Sequence, residues 1–302
     1  MKKVLVTGGT IFVSKYVAKY YVEKGYDVYV LNRNSREQVE GVTLIESDRH
    51  MIGDKLRGYH FDVIFDITAY TEEDVNGLLD ALDSFDEYII ISSSAVYPEY
   101  EQQPFKENTK LGENKYWGLY GINKIKAEKA LFERVPDAYI LRPPYLYGPM
   151  NNVYREAFVF DCAMADRKFY LPKDGKMKMQ FLHIEDLCKF MDILVEKKPE
   201  VHIFNVGNRD SISVRDWVKL CYSVLGKKAE FEQVMEDIEQ RSYFSFNDYE
   251  YYLDVSEQEE LMPETKSIED GIREAYMWYK DNSGEVNRKG YMEFIDSKWR
   301  NK

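Results

Sequence analysis

The sequence predicts an α/β fold, a doubly wound parallel sheet of the Rossmann type with a smaller C-terminal α/β lobe for the substrate. Two observations lead to this prediction. Short apolar runs that suit buried strands alternate with segments of helical spacing, and the polar clusters fall where strands end. We expect a first domain over residues 1–150, to which residues 180–207 return, and the substrate lobe over residues 151–179 and 208–302.

The start of the chain is predicted to form one strand–helix–strand unit. It comprises a strand (residues 4–6), a Thr-Gly-Gly-Thr turn (7–10), a helix (11–24) and a second strand (27–31). Such a unit places the pyrophosphate of a dinucleotide at a helix N-terminus. Ile11 and Ser14 occupy the places of the second and third glycines of the usual fingerprint, so the turn alone is weak evidence.

The remaining elements continue the alternation. The spacing predicts strands over residues 42–46, 61–67, 88–91, 138–141 and 201–206, and helices over residues 72–84, 113–134 and 184–195. In the lobe it predicts helices over residues 152–166, 213–225 and 268–279, and extended segments over residues 177–182 and 228–231. The tail after Ser283 is expected to dock as a helix through Tyr291, Phe294, Ile295 and Trp299.

Composition and charge disfavour several classes of protein. The net charge is −12, with 41 basic and 53 acidic residues, and nucleic-acid surfaces depend on phosphate neutralisation by basic groups. The three cysteines are far apart and form no CxxC pair, so we expect a reducing compartment and no metal site. No apolar run long enough for a membrane helix and no signal-peptide pattern is visible. The expected location is the cytoplasm.

Tyr120 and Lys124 are the residues most suggestive of catalysis. They are four apart on a predicted helix, so both side chains face the same way. A lysine beside a tyrosine hydroxyl should lower the pKa of the phenol from about 10 and make it a general acid or base. The pairs Tyr20–Lys24 and Tyr276–Lys280 have the same spacing and are interpreted as structural. Tyr120 differs because it follows a buried strand that ends in three serines, Ser92 to Ser94.

These features together resemble the extended short-chain dehydrogenase/reductases, the NAD-dependent epimerases and dehydratases that act largely on nucleotide sugars. The resemblance covers almost the whole chain. It rests on the glycine turn (residues 7–10), Asp48-Arg49, the Ile-Ile-Ser-Ser-Ser-Ala-Val-Tyr run (90–97), Tyr120 to Lys124, Arg142 to Pro149, the Phe-Leu-His segment (181–187) and residues 204–208.

The resemblance implies a role for each of three polar residues. Ser93, with Ser94 as the alternative, would hydrogen-bond the substrate oxygen at the carbon that exchanges hydride. Tyr120 would transfer the proton, and Lys124 would hold the nicotinamide ribose. The implied cofactor site contains Gly8, Gly9, Thr10, Ile11, Phe12, Val13, Asn32, Arg33, Arg36, Asp48, Arg49, Thr68, Ala69, Tyr70, Ser92, Tyr120, Lys124, Pro143 and Leu146.

The end of the second strand indicates which cofactor is preferred. An acidic residue there accepts from the 2′-hydroxyl of NAD, whereas a nearby arginine accommodates the 2′-phosphate of NADP. This chain has Asn32 followed by Arg33, with Arg36 close by. We therefore expect NADP rather than NAD, the alternative being that these arginines belong to a solvated loop.

Departures from the family pattern narrow the substrate. Tyr145 and Met179 stand where nucleotide-sugar members usually carry an Asn and an Arg that contact the diphosphate, so the expected substrate is a sugar or a nucleotide-sugar-like derivative. Ser94-Ala95 cannot supply the acid and base of a dehydratase. The glycine turn and Asp48-Arg49 are similar to a divergent branch that includes chloroplast stem-loop RNA-binding proteins.

We therefore expect an NAD(P)-dependent oxidoreductase or epimerase. The alternative is a nucleotide-loaded sensor or RNA-binding protein of the same fold. The resemblance also implies a homodimer formed through the helix that carries Tyr120. His183 is expected to cap or pack against the helix that follows it.

Overall fold

The computed structural model describes residues 1–300, so residues 301–302 of the predicted lobe lie outside it. The strands are β1 (Lys3–Thr7), β2 (Asp27–Asn32), β3 (Thr43–Glu46), β4 (His60–Asp66), β5 (Ser84–Ile91), β6 (Tyr139–Arg142), β7 (Tyr145–Tyr147), β8 (Phe169–Pro172), β9 (Lys178–Met179), β10 (Phe181–His183), β11 (Ile203–Asn205), β12 (Ile212–Ser213) and β13 (Phe231–Val234). The α-helices are α1 (Phe12–Glu23), α2 (Glu72–Ala81), α3 (Leu119–Arg134), α4 (Glu156–Met164), α5 (Ile184–Lys197), α6 (Val214–Ser223), α7 (Ser256–Leu261), α8 (Ile268–Asn282) and α9 (Tyr291–Ile295).

The main sheet has seven strands in the order β11-β6-β5-β4-β1-β2-β3. Every neighbouring pair is parallel. The strand order reverses beside β1, and in such sheets ligands bind outside the carboxyl ends of the strands at that point. The predicted fold class, a doubly wound parallel sheet, is confirmed.

Alternate residues of the central strands face opposite layers of helices. Val4 and Val6 of β1 belong to the apolar cluster that contains residues of α1 and α5, whereas Leu5 belongs to the cluster that contains residues of α2 and α3. All three side chains are fully buried. A strand buried on both faces needs a continuous apolar run, and this requirement explains the Val-Leu-Val sequence.

Helix α2 is shorter than predicted. It begins with a capping box, in which Thr71 Oγ1 accepts from the Asp74 amide at 3.2 Å and Asp74 Oδ2 accepts from the Thr71 amide at 2.9 Å. The predicted continuation to residue 84 is wrong, because Leu82 is extended and Ser84 already pairs with His60 in the sheet.

Helix α3 begins at Leu119, so the predicted start at residue 113 is also wrong. The preceding chain forms a turn in which the Asn114 carbonyl accepts from the amides of Trp117 and Gly118 at 3.0 and 2.8 Å. Gly118 has a φ of +50°, which a helix cannot continue through. The turn displaces Trp117 from the helix toward the cleft described below.

The lobe is built from small strand pairs and helices. β8 pairs with β13, β9 with β12, and β10 with β7. The extended segment predicted over residues 228–231 lies three residues later, and the helix predicted from residue 152 begins at Glu156. The apolar core of the lobe also contains Tyr97 and Phe105 of the first domain. Because this core contains residues of both predicted domains, it does not mark the boundary at residue 150, which stays a prediction.

The tail docks as predicted. Tyr291 and Ile295 of α9 are buried in the core of the lobe, and Phe294 and Trp299 pack against that core. Within residues 1–300, no helix combines the length and the apolar character that crossing a membrane requires.

Candidate active site

A cleft of about 1020 Å³ opens at the carboxyl ends of the central strands. It is lined by Ser93 and by all the predicted cofactor residues except Gly9 and Ala69. One half lies against the glycine turn and the loop after β2. The other half is bordered by the lobe, through residues such as Arg155 and Tyr251.

The glycine turn is fixed by backbone contacts and by lack of space. The Gly8 amide donates to the Leu31 carbonyl at 2.9 Å, and a Cβ on Gly8 would lie 2.8 Å from Ser14 Oγ. Gly9 does not line the cleft, because it faces Val30, whose Cγ1 would lie 2.6 Å from a Cβ at that position. The two glycines therefore have different roles: the absence of a side chain at Gly8 leaves room for Ser14 beside the cleft, and its absence at Gly9 leaves room for Val30 of β2.

The start of α1 suits a pyrophosphate. The first turn of the helix contains no acidic residue, and the segment from Thr10 to Val13 lines the cleft. Ser14 Oγ donates to the Ile11 carbonyl at 3.0 Å, and the Ile11 side chain is exposed. Helix N-termini present free amides to anions, so these residues fit a dinucleotide although the second and third glycines of the fingerprint are missing.

Asn32 holds the glycine turn at the end of β2. Its Nδ2 donates to the Gly8 carbonyl at 2.6 Å and to Gln38 Oε1 at 3.0 Å. Arg33 is exposed, with Nη1 4.0 Å from Asp48 Oδ2, and both Arg33 and Arg36 line the cleft. This end of β2 therefore offers two guanidinium groups and no carboxylate of its own.

Arg49 lines the cleft, but its guanidinium is directed into the protein. Nη1 and Nη2 donate to the two oxygens of Asp66 at 2.6 and 2.7 Å, Nη1 also donates to Thr68 Oγ1 at 3.1 Å, and Nη2 donates to the Asp74 carbonyl at 2.8 Å. Its donors serve the ends of β4 and α2, and the expectation that Arg49 borders the adenine stays a prediction. Asp66 also accepts from Tyr88 Oη at 2.6 Å, and the Arg49 charge keeps its pKa below the ordinary value despite burial.

Lys124 is buried beneath the cleft and joins two strand ends. Nζ donates to the carbonyls of Ala69 and Ile91, each at 2.7 Å. It lies 4.8 Å from the ring centroid of Tyr70 and 6.0 Å from that of Tyr120. Burial lowers the pKa of Lys124 to about 8. Ala69 thus contributes a carbonyl behind the cleft.

Tyr120 is 39% exposed at the centre of the cleft. Desolvation around it raises the pKa of the phenol, and the neighbouring Ser93 hydroxyl opposes that rise. The predicted lowering by Lys124 is not found, because the ammonium is directed toward the two carbonyls. In this state the Tyr120 hydroxyl is protonated at neutral pH.

The three serines after β5 have separate partners. Ser92 Oγ donates to Glu128, which forms a buried ion pair with Arg142 at 2.6 Å. Ser94 Oγ donates to Tyr251 Oη at 3.0 Å. Both hydroxyls are buried, so Ser92 and the alternative Ser94 are occupied within the protein, whereas Ser93 adjoins Tyr120.

The lobe side of the cleft contains four residues that the sequence did not single out. They are Tyr116, Trp117, Arg155 and Tyr251, and they line it together with Tyr145. Tyr145 makes edge contacts with Trp117 and Tyr251, with ring centroids 6.3 and 5.8 Å apart. The available signal was the high tyrosine content, 25 residues, which does not say which rings meet.

His183 caps α5, as predicted: its Nδ1 accepts from the Glu185 amide at 3.3 Å. Its Nε2 has no hydrogen-bond partner within residues 1–300 and lies 3.5 Å from Glu274 Oε2. Lys266 Nζ donates to both Glu185 and Glu274, so an ammonium already binds the two carboxylates near His183.

The model of the NAD-dependent epimerase/dehydratase family matches residues 4–207. The chain belongs to this family. The resemblance drawn from the motifs is thereby confirmed.

Three curated relatives illustrate the range of the family. A chloroplast stem-loop binding protein of 41 kDa from Arabidopsis thaliana is 26% identical over 91% of this chain and 78% of its own length. A probable GDP-L-fucose synthase of Oryza sativa is 24% identical, over 93% of this chain and 92% of its own. A putative UDP-glucose 4-epimerase of Methanocaldococcus jannaschii is 24% identical, over 93% and 99%.

Solved structures of epimerases share the fold. The UDP-glucuronic acid 4-epimerase of Bacillus cereus, in complex with UDP-glucuronic acid and NAD, has a TM-score of 0.74 at 19% identity, over 92% of this chain and 99% of that one. The UDP-glucose 4-epimerase of Thermotoga maritima, with UDP-glucose, has a TM-score of 0.74 at 19% identity, over 93% and 99%.

Proposed function

We propose that this family member is an NAD(P)-dependent oxidoreductase or epimerase that acts at a carbinol or carbonyl carbon of a sugar or nucleotide-sugar-like substrate. The observation that carries the proposal is the position of Tyr120, which is exposed beside Ser93 in the same cleft as the glycine turn. A bound nicotinamide would supply or accept the hydride. The chain itself has to orient the substrate and move one proton.

The proton step follows from the contacts of Tyr120. When a carbonyl is reduced, the carbonyl carbon gains the hydride and its oxygen takes the proton of the Tyr120 hydroxyl; oxidation of a carbinol reverses both transfers. Ser93 would donate to the same substrate oxygen. Lys124 would hold the nicotinamide ribose, because its ammonium lies beneath the cleft and keeps a third N–H beyond those given to the two carbonyls.

Substitution of Tyr120 tests this role. Tyr120→Phe should lower turnover by about 10²–10⁴-fold, the usual contribution of general acid–base catalysis, while the cofactor still binds. Tyr276→Phe is the matched control, since Tyr276 also precedes a lysine by four residues on a helix but lies outside the cleft. A Tyr120→Phe enzyme within about tenfold of the parent would refute the assignment.

We propose NADP as the preferred cofactor, although the neighbouring structures are described with NAD. The support is the pair of cleft-lining arginines, Arg33 and Arg36, at a strand end where Asn32 replaces an acidic residue. Fluorescence titration should give a lower Kd for NADPH than for NADH. The double variant Arg33→Ala/Arg36→Ala should weaken NADPH and leave NADH nearly unchanged; equal affinities in the parent would contradict the preference.

Dehydration is not proposed. Ala95 has no acidic or basic group, and the neighbouring Ser94 hydroxyl is bound to Tyr251. Elimination needs a further acid and base beside the Tyr120 hydroxyl, and these two positions do not supply them.

A second candidate function is binding of structured RNA by the nucleotide-loaded fold. The relative that favours it is the stem-loop binding protein, which matches 91% of this chain. The net charge of −12 argues against it. Retarded migration of a stem-loop RNA at micromolar protein, weakened by salt, with no turnover of any sugar, would favour this candidate over the enzyme.

We also propose a cytoplasmic homodimer formed through α3 and the adjacent α2. Glu73 and Asp80 are exposed on α2, and Lys126 and Lys129 are exposed on α3. A twofold axis would set Glu73 of α2 in one copy against Lys126 of α3 in the other, since Asp80 and Lys129 already pair within the chain with Arg134 and Glu133. Sedimentation velocity should show a dimer that weakens with salt, and a monomer at micromolar concentration would contradict this.

A further inference from the structure

Arg155 is a cation on the lobe side of the cleft, immediately before α4. Its guanidinium carbon lies 5.0 Å from the ring centroid of Tyr145 and 5.7 Å from that of Phe246. Contact with aromatic rings limits the conformations of the long side chain. The charge is therefore held in place in the cleft that Tyr120 also lines, where it opposes the rise in the pKa of Tyr120 that burial causes.

The guanidinium has almost no partner in the protein. Across residues 1–300, no carboxylate lies within 4.0 Å of it, and its hydrogen bond is from Nη1 to the Leu146 carbonyl at 3.4 Å. An arginine has five N–H donors. Arg49 and Arg142, by contrast, each form an ion pair with a buried carboxylate.

The adjacent Glu156 does not neutralise Arg155. Its Oε1 accepts from Asn151 Nδ2 at 2.8 Å and from the Gly148 amide at 3.5 Å, and the carboxyl is buried. The acidic residues that line the cleft are Asp48 and Asp74, and both belong to the half near the glycine turn. Among residues 1–300, the half around Tyr120 and Arg155 is therefore lined by a positive charge and by no acidic residue.

We propose that Arg155 binds an anionic group of the substrate, a carboxylate or a phosphate, and so positions the reacting carbon at Tyr120. The inference rests on the proposed function and deepens it by naming a substrate class. A guanidinium matches the two oxygens of a carboxylate or phosphate with paired N–H donors. Neutral sugars leave this charge unpaired and bind more weakly.

Two departures from the family pattern bear on the position of Arg155. Met179, which stands where nucleotide-sugar members usually carry an arginine, is buried in the core of the lobe. Tyr145, which stands where those members usually carry an asparagine, provides a ring against which Arg155 packs. The chain thus supplies its positive charge from the start of α4, and an asparagine in place of Tyr145 would remove the aromatic face that holds it.

The test is calorimetric titration of the NADP-loaded protein with three probes: UDP, glucuronate and glucose. The parent should bind UDP or glucuronate at least tenfold more tightly than glucose. Arg155→Met should lose at least tenfold of that affinity, and Arg155→Lys should recover part of it. Arg215→Met is the matched control, because Arg215 also stacks on a ring, that of Phe231 at 4.8 Å, but lies outside the cleft.

The outcomes separate this inference from the proposed function. A preference for glucuronate assigns a carboxylate to Arg155, and a preference for UDP assigns a phosphate. No preference for either anion over glucose overturns the inference, as does an Arg155→Met protein, folded by circular dichroism, with parental affinity. If anions bind through Arg155 but Tyr120→Phe retains turnover, the proposed acid/base role fails and the anion site stands.

Discussion

The buried pair of Arg49 and Asp66 should be the most sensitive point of the first domain. Arg49→Met would leave a fully buried carboxylate with only the hydroxyls of Thr7 and Tyr88, at 2.8 and 2.6 Å, as partners. Removing one partner of a buried ion pair costs about 3–5 kcal/mol. For a protein of this size that corresponds to a fall in Tm on the order of 10 °C.

The stability lost in Arg49→Met should be larger at neutral pH than in mild acid. In the parent protein the folded-state pKa of Asp66 is below its ordinary value, so this contribution to stability is present above the unfolded pKa and is lost as pH falls through the folded pKa. Without Arg49, desolvation raises the pKa of Asp66. The variant can then protonate the carboxyl in mild acid, and the stability gap between parent and variant should narrow as pH falls from 7 toward about 4.

Thermal unfolding followed by circular dichroism at both pH values measures this gap. Arg33→Met is the control, since Arg33 is 74% exposed and its pair with Asp48 should contribute little. Adding Asp66→Asn to Arg49→Met should recover part of the loss, because no charge remains buried. If Arg49→Met weakened cofactor binding without lowering Tm, the structural interpretation of Arg49 would be refuted.

Three further outcomes follow from the geometry around α3. Gly121→Ala should lower the free energy of unfolding in urea titrations by about 1–3 kcal/mol, because the added Cβ would lie 2.2 Å from the Ala95 carbonyl oxygen in the loop after β5. Gly77→Ala is the control and should not destabilise the protein, since its Cβ would lie 3.8 Å from the nearest atom, the Arg49 carbonyl oxygen. The pKa of Lys124 falls from 10.5 to about 8 on folding, so the unfolded chain binds more protons than the folded chain between these pH values. The contribution of Lys124 to the free energy of unfolding should therefore rise by about 3 kcal/mol over that pH range. The parent should show this rise and Lys124→Met should not. Ser93→Ala should reduce turnover more than Ser94→Ala. Ser94→Ala should lower Tm more than Ser93→Ala, since the Ser94 hydroxyl already has a buried partner. The reverse order of turnover in kinetic assays would assign the substrate contact to Ser94.

Local sequence was sufficient to predict the sheet and the placement of Tyr120 and Lys124 at the cleft. Apolar runs mark strands buried on both faces, and the four-residue spacing of Tyr120 and Lys124 puts both on one side of a helix. These features depend only on the period of the backbone. The same is true of the turn at Gly8, where the residue type reflects a φ of +92°.

What local sequence could not predict depends on distant contacts. The family resemblance implied Arg49 as a cofactor residue, but nothing near it in sequence shows that Asp66, 17 residues on, takes its donors. The pKa of Tyr120 was predicted to fall; it rises because burial desolvates the phenol, while two strand-end carbonyls hold the Lys124 ammonium. Arg155 was missed because its isolation from carboxylates is visible only when all neighbouring chains are in place.

The two bonds of Lys124 change what its presence in a sequence means. By donating to the carbonyls of Ala69 and Ile91, the lysine satisfies two buried acceptors whether or not a hydride is ever transferred. A descendant that had abandoned redox chemistry would remain under selection to keep it. Tyr120 is exposed and has no such structural duty, so among relatives of this chain the loss of catalysis should appear first as substitution of the tyrosine, with the lysine retained.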